Sequence, residues 1–415
     1  MKKLTIRGGR PLFGEVAVSG FKNAALPVLF ATILVRDISL IDNLPLIRDV
    51  GQTLEILRAM GARITFRGAH TVEIDTRTLR QGGAPDALVS SFRASSYLLG
   101  AELSRFGRAR VALPGGCRIG ARPLDLHLLV LGALGADTVL TGDAIFAETE
   151  HLFGNDISLP TPSVGATVNA LLAAVLAEGE TVIRGAAREP HIVDLACFLN
   201  AAGAQVRGAG ESEIRVKGVT SLRGVRHTVM PDMIEAGTFL TSVGAAGGEI
   251  RLLGTAPGDL SSVTAPLRKM GLSLTYEDGG LVASRRGGLS PFTLVAEPYP
   301  GFPTDMHPQM IALAAFAEGV SHLTDTVFPD RFAYAAELAK MGADIMVREG
   351  SVTVRGTPLS GARVQAHDLR AGAALAVAAL GAGGRTTISG AEILERGYED
   401  FPAKLRALGA DVTEA

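Results

Sequence analysis

Two hydrophobic periods alternate along this chain. Stretches with apolar residues three and four apart read as helices with one buried face, and short runs with every second residue apolar read as strands. Six times a helical run closes on Leu-x-x-[Met/Leu/Ala]-Gly and a strand-like run follows. The closing glycines are Gly61, Gly135, Gly203, Gly271, Gly342 and Gly409, which stand 67 to 74 residues apart. A period that steady implies about six copies of one unit. The glycine fits a helix C-cap, where a left-handed residue is needed and a Cβ is penalised.

Lined up, the copies share one order. A helix rich in small residues comes first, as in residues 166–176 and 371–380. A glycine-bearing turn follows, then an alternating strand such as Glu180-Thr181-Val182-Ile183 or Arg385-Thr386-Thr387-Ile388. A loop, a second helix ending at the closing glycine and a further strand complete the unit. A helix apolar all round is a buried one, so the first helix of each copy is expected inside. The fold class is α/β (α+β), with three units around buried helices in each of two domains. The first three copies end near Met230, before Pro231, and residues 4–19 read as strands. Residues 22–230 are therefore assigned to a first domain and residues 1–21 with 231–415 to a second. The chain then crosses twice between domains, which makes a hinge candidate.

Composition narrows the function classes. Apolar residues make up 47% of the chain and charged residues 20%, with a net charge of −2. That balance argues against a nucleic-acid partner, whose phosphates demand an excess of cations. Two cysteines, Cys117 and Cys197, cannot form a disulfide framework and suggest a reducing, cytoplasmic setting. The start lacks an apolar signal core, and the longest apolar runs are too short to span a bilayer. The eight histidines show no metal-ligand spacing, and neither a Walker loop nor a dinucleotide fingerprint occurs. No metal, cofactor or membrane insertion is expected, and the state expected is a monomer or weak homo-oligomer.

Function should sit on loops that recur once per unit. One class precedes the small-residue helix: Gly20-Phe21-Lys22-Asn23, Phe92-Arg93-Ala94-Ser95, Pro162-Ser163-Val164-Gly165, Pro231-Asp232-Met233, Phe302-Pro303-Thr304-Asp305 and His367-Asp368-Leu369-Arg370. A second class precedes the other helix and includes Arg188-Glu189-Pro190, Phe328-Pro329-Asp330-Arg331 and Leu394-Glu395-Arg396. Helix N-termini attract anions, and several of these carry Lys or Arg, so a substrate with several phosphates or carboxylates is expected. Cys117 follows two glycines and neighbours Arg118 and Arg122, surroundings that lower a thiol pKa. Cys197 reads as a small buried hydrophobe. Asp305 suits a helix cap, the commoner job of such a residue, as well as a base. Lys22 opens an apolar helix where its charge opposes the dipole, a cost that needs a reason.

The loops resemble those of the enolpyruvyl transferases, and within them the branch acting on UDP-N-acetylglucosamine. The residues concerned are Ser19-Gly20-Phe21-Lys22-Asn23-Ala24, Pro114-Gly115-Gly116-Cys117-Arg118-Ile119-Gly120-Ala121-Arg122-Pro123, Ser163-Val164-Gly165-Ala166-Thr167, Phe302-Pro303-Thr304-Asp305-Met306 and Arg396-Gly397-Tyr398-Glu399. The resemblance runs over essentially the whole chain. It implies a two-domain fold of six repeats and transfer of enolpyruvyl from phosphoenolpyruvate to the sugar 3-hydroxyl, with phosphate released. It further implies Cys117 as proton donor and fosfomycin target, and Asp305 as the base. Lys22, Arg122 and Arg396 would hold carboxylate and phosphate, with Asn23 and Arg93 as further contacts. Arg122, Pro123, Leu124, Asp125 and Leu126, with Ser163, Val164 and Gly165, would cradle the uridine diphosphate. Val327 would meet the sugar, and Arg331 and Arg370 would act behind these groups or in closure.

The chain departs from the pattern in places. Met233 stands where relatives usually carry Arg, His191 where many have Glu, and Leu128-Leu129-Val130 where they are more polar. These positions leave the acceptor open, UMP being the alternative to the nucleotide sugar. A shikimate-type enzyme is expected to keep Lys22 but neither the cysteine loop nor the Ser163 cradle. A non-catalytic nucleotide-sugar-binding paralogue is opposed by the intact set of Lys22, Cys117, Arg122, Asp305 and Arg396.

Overall fold

The computed structural model describes residues 2–113, 115 and 124–415. Backbone contacts gather them into two compact units, one holding residues 2–19 with Pro231–Ala415 and the other the described residues between Gly20 and Met230. Each unit holds three sheets. All six closing glycines have positive φ, from 84° to 112°, so each is the left-handed residue that ends its helix.

The six small-residue helices are Lys22–Ala31, Leu98–Phe106 and Val164–Ala174 in the first three copies, and Met233–Ala246, His307–Ala314 and Leu369–Gly381 in the last three. In the last of these, residues 369–380 are all buried. The helices Met233–Ala246, His307–Ala314 and Leu369–Gly381 pack on one another, and Leu98–Phe106 packs on both Val164–Ala174 and Lys22–Ala31. Sheets cover these helices on the outside, and their alternation shows which face is wet. Strand Val320–Asp325, for example, buries Ser321, Leu323 and Asp325 and exposes the residues between them.

The chain start is held by the sheets of the later copies. Strand Lys3–Arg7 lies antiparallel between Arg385–Ser389 and Asp411–Glu414. Strand Leu12–Ala17 runs parallel to Gly248–Leu253. Among the described residues five sheets have four strands, one of them added in parallel. The sheet of the second copy has three: Arg108–Ala112, Ala144–Glu148 and Asp137–Leu140. A short helix, Asp86–Val89, precedes it instead, tied to its first strand by the Arg110–Asp86 ion pair at 2.6 Å.

Among the described residues no helix is long and apolar enough to cross a membrane, and no group of three His, Cys, Asp or Glu stands ready for a metal.

Candidate functional site

Capping sorts the six buried helices into two kinds. Ser163 accepts from Ala166 N at 3.3 Å, Asp232 from Ile234 N and Glu235 N, and Asp368 from Arg370 N and Ala371 N. Each such cap contributes about 1 kcal/mol. The starts of Lys22–Ala31, Leu98–Phe106 and His307–Ala314 have no side-chain cap. Lys22 opens the first of these helices, and Asp305 sits in the 3₁₀ turn Thr304–Met306 ahead of the last.

In the unit from Gly20 to Met230, Lys22 is the first residue of its helix, and its ammonium lies 2.6 Å from the buried carboxylate of Asp49. Asp49 belongs to helix Arg48–Ala59, which packs on the Lys22 helix. This partner explains how a lysine is held against the helix dipole. Asn23 and Arg93 are half-buried, Arg93 opening a 3₁₀ turn over Arg93–Tyr97. Gly115, two residues before Cys117, donates its N–H to Ser90 O at 2.9 Å. Cys117, Arg122 and Pro123 lie outside the described residues.

Leu124 is buried, Asp125 exposed and Leu126 half-buried at the start of helix Asp125–Ala133. Ser163, Val164 and Gly165 are half-buried at the start of the helix packed against it. His127 joins the two. A Cβ built on Gly165 would lie 2.7 Å from the His127 ring. Asn169 holds that ring, with Nδ2 2.7 Å from His127 Nδ1, while its Oδ1 accepts from Gly100 N. The sequence reading passed over Asp49, His127 and Asn169. The signal for His127 was its place directly after Asp125 and Leu126.

In the other unit, Asp305 is the centre of a charged cluster. Its Oδ1 accepts from Arg331 Nη1 at 2.8 Å and its Oδ2 from Arg370 Nη2 at 2.9 Å. The Arg331 and Arg370 side chains are 5% and 2% exposed, against 27% for Asp305. Burial alone would raise the Asp305 pKa, but the guanidiniums of Arg370 and Arg331 hold it well below the usual carboxylate range. Asp305 is not a cap, since its oxygens face guanidiniums and not backbone N–H groups. Arg331 and Arg370 are its direct partners.

Arg370 also lies over the ring of Tyr398, 5.4 Å from its centroid. Tyr398 follows Arg396 by two residues, and its hydroxyl is 2.9 Å from Thr238 Oγ1 and 3.2 Å from Gln309 Nε2. That fixes the turn on which the half-buried Arg396 stands. Val327 is half-buried, its N–H bonded to Asp325 Oδ1 at 2.9 Å.

Three other positions can be placed. Cys197, expected to be buried, is exposed. Its helix Pro190–Ala201 buries Ile192, Leu195, Ala196, Phe198 and Leu199, a stripe that leaves Cys197 on the solvent side. Met233 is buried, and so is His191, whose ring meets Phe21 edge-on at 5.4 Å.

A family model described as EPSP synthase (3-phosphoshikimate 1-carboxyvinyltransferase) matches residues 6–405. The UDP-N-acetylglucosamine 1-carboxyvinyltransferase 3 of Caldanaerobacter subterraneus subsp. tengcongensis is 44% identical over 413 residues, covering 99% of each chain. The UDP-N-acetylglucosamine 1-carboxyvinyltransferase of Nitratidesulfovibrio vulgaris is 46% identical over 414 residues, with the same coverage. Among solved structures, the enolpyruvyl transferase NikO from Streptomyces tendae matches with a TM-score of 0.91 and 29% identity, over 100% of this chain and 99% of that one. An EPSP synthase from Acinetobacter baumannii matches over all of both chains with a TM-score of 0.78; at 23% identity the likeness is one of fold.

Proposed function

Because the chain belongs to the EPSP synthase (3-phosphoshikimate 1-carboxyvinyltransferase) family, we propose that it transfers enolpyruvyl from phosphoenolpyruvate to the 3-hydroxyl of UDP-N-acetylglucosamine. Phosphate is the second product, and the step is the first committed one of peptidoglycan synthesis. The observation that carries this reading is identity of 44% and 46% along 99% of the chain to relatives named for that activity.

The chemistry is addition followed by elimination. The sugar oxygen bonds to C2 of phosphoenolpyruvate as its proton leaves and another proton reaches C3, giving a tetrahedral ketal. The C2–O bond to phosphate then breaks and C3 gives up a proton, leaving the enol ether. Lys22, Arg122 and Arg396 supply cations for the carboxylate and phosphate, where charge-assisted hydrogen bonds are strong. Cys117 delivers the proton to C3, and the epoxide fosfomycin would alkylate the same thiol. The domains divide the work, with residues 22–230 holding Cys117 and residues 1–21 and 231–415 holding Asp305.

Asp305 takes the hydroxyl proton. Paired with two guanidiniums, it is ionised at any physiological pH and is ready to accept that hydrogen bond. The same pairing makes it a weak base. An anion that competes for the donors of Arg331 or Arg370 relieves the pairing and raises Asp305 toward proton uptake.

The same reading makes the protein a cytoplasmic enzyme of cell-wall synthesis and cell division. The test is phosphate release from phosphoenolpyruvate with UDP-N-acetylglucosamine and UMP as alternative acceptors. Release with the nucleotide sugar is expected. Release with UMP alone would move the enzyme to another acceptor, and silence with both would refute the transferase reading.

A further inference from the structure

Behind Asp305 lies a second carboxylate that the reaction does not use directly. Asp325 ends strand Val320–Asp325, and its side chain is 0% exposed. Each of its oxygens accepts two hydrogen bonds. Oδ1 takes the backbone N–H of Val327 at 2.9 Å and of Phe328 at 2.8 Å. Oδ2 takes Thr304 Oγ1 at 2.6 Å and His307 Nδ1 at 2.9 Å. One buried carboxylate thus ties the loop after its own strand to the turn that bears Asp305, gripping that turn at the residue before Asp305 and at the second residue after it.

The donors and acceptors fix the protons. An ionised carboxylate only accepts, so His307 Nδ1 carries a proton. Burial lowers the His307 pKa against the opposing pull of Asp325, so the imidazole is neutral and Nε2 is an acceptor. Tyr334 Oη, 2.6 Å from Nε2 and fully enclosed, therefore donates. The chain runs one way, from the Tyr334 hydroxyl through His307 to Asp325. Phe332 closes the other side of the imidazole edge-on at 5.0 Å. Arg331 completes the junction, its Nη1 reaching Thr304 O at 3.2 Å and Asp305 Oδ1 at 2.8 Å.

We propose that Asp325 is the positioning residue for the acceptor-sugar end of the site. It sets the Asp305 carboxylate and the Val327–Phe328 backbone in one fixed relation, and His307 and Tyr334 hold it in the ionised, accepting state. The inference rests on the reading above that Asp305 and Val327 meet the nucleotide sugar. A satisfied buried network rigidifies what it joins, and a misplacement of about 1 Å in a catalytic group costs about 10²-fold in rate.

Asp325→Asn tests this with little change of shape. The amide oxygen can keep the Val327 and Phe328 bonds. The amide nitrogen is a donor, so His307 must present a lone pair at Nδ1, move its proton to Nε2 and donate to Tyr334. Nitrogen-15 NMR of histidine-labelled protein reads that tautomer with or without turnover. The expected result is a proton on Nδ1 in the native protein and on Nε2 in Asp325→Asn. With it, kcat should fall about 10²-fold and KM for the nucleotide sugar should rise, while KM for phosphoenolpyruvate holds.

A variant with the inverted tautomer and native kinetics would overturn the proposal, as would a native His307 protonated on Nε2. If Asp325→Asn does not fold, Tyr334→Phe decides. It removes only the far donor and should lower kcat about threefold or more through the same network, and native kinetics there would overturn the proposal equally. A native protein that releases no phosphate with the nucleotide sugar would instead remove the functional reading beneath it.

Discussion

Glu102 should make the protein less stable as the pH rises from acid toward neutrality. It lies in the buried helix Leu98–Phe106 and is 1% exposed, and its carboxylate has no side-chain partner, only a weak pull from the backbone N–H of Arg110. Burial disfavours the charged form and outweighs that pull, raising its pKa from 4.5 to about 7. Between those values the folded chain keeps a proton that the unfolded chain has lost, so stability falls as pH increases; above about 7 the loss is complete. At about 1.4 kcal/mol per pH unit over the interval from 4.5 to about 7, the loss is roughly 3 kcal/mol. Urea unfolding of the native protein and of Glu102→Gln, followed from pH 4 to 8, measures it. The variant cannot ionise, so the difference between the two curves should change by about 3 kcal/mol across that range. Glu235 is also pushed up to about 7 by burial, against the pull of Lys404, and its share of the slope remains in both proteins. Parallel curves would mean that Glu102 finds a partner or water, and the desolvation argument would fail.

Other outcomes follow from the charged groups and the packing. Asp305→Asn should lower kcat by about 10²–10⁴-fold, the worth of general-base help, while calorimetry shows nucleotide-sugar binding retained; native turnover would leave Asp305 with a structural role alone. The same variant leaves Arg331 and Arg370 without their counter-charge, so its melting temperature should drop, loss of one partner of a buried pair costing about 3–5 kcal/mol. Asp49→Asn should cut kcat/KM for phosphoenolpyruvate about tenfold or more by releasing Lys22 from its place, and an unchanged value would show that Lys22 positions itself. Gly165→Ala forces a methyl to within 2.7 Å of the His127 ring, which Asn169 prevents from yielding. A stability loss of about 1–3 kcal/mol is expected, and a native melting curve would show that the ring moves aside.

What could be read from the sequence is what local physics writes into it. The closing glycines advertise themselves because a left-handed residue after a helix has few alternatives to glycine, and all six proved to be such residues. The burial of the first helices followed from their composition, and the strands at the chain start were visible as alternation. Ion pairs made across the fold leave no such mark. Arg331 and Arg370 lie 26 and 65 residues beyond Asp305, and nothing short of the folded chain says that both reach it. Asp49 is hidden in the same way, since an acidic residue in the first turn of a helix is ordinary there and reads as a solvated one. Cys197 shows the opposite failure. Its stripe of buried neighbours was present in the sequence, and the general tendency of cysteine to be buried was preferred to that pattern.

At two uncapped helix starts the fold gives up stability beside groups proposed for the chemistry. An ordinary start closes its own N–H groups with a side chain, as Ser163, Asp232 and Asp368 do. At Lys22 no cap is present, and a cation faces the positive end of the dipole at a cost of about 0.3–1 kcal/mol. Left alone, such a lysine would swing into water. Asp49, 2% exposed and 2.6 Å away, makes that departure expensive, because a carboxylate abandoned in the core loses several kcal/mol. The pairing at Asp305 works with the signs reversed: one carboxylate is kept in place by two guanidiniums that have nowhere better to go. In both units the group proposed to meet substrate is the more exposed member, 13% for Lys22 and 27% for Asp305, and its buried partner does the holding. Burying the partner fixes position, while the remaining exposure leaves the reactive group lone pairs or protons to offer a ligand.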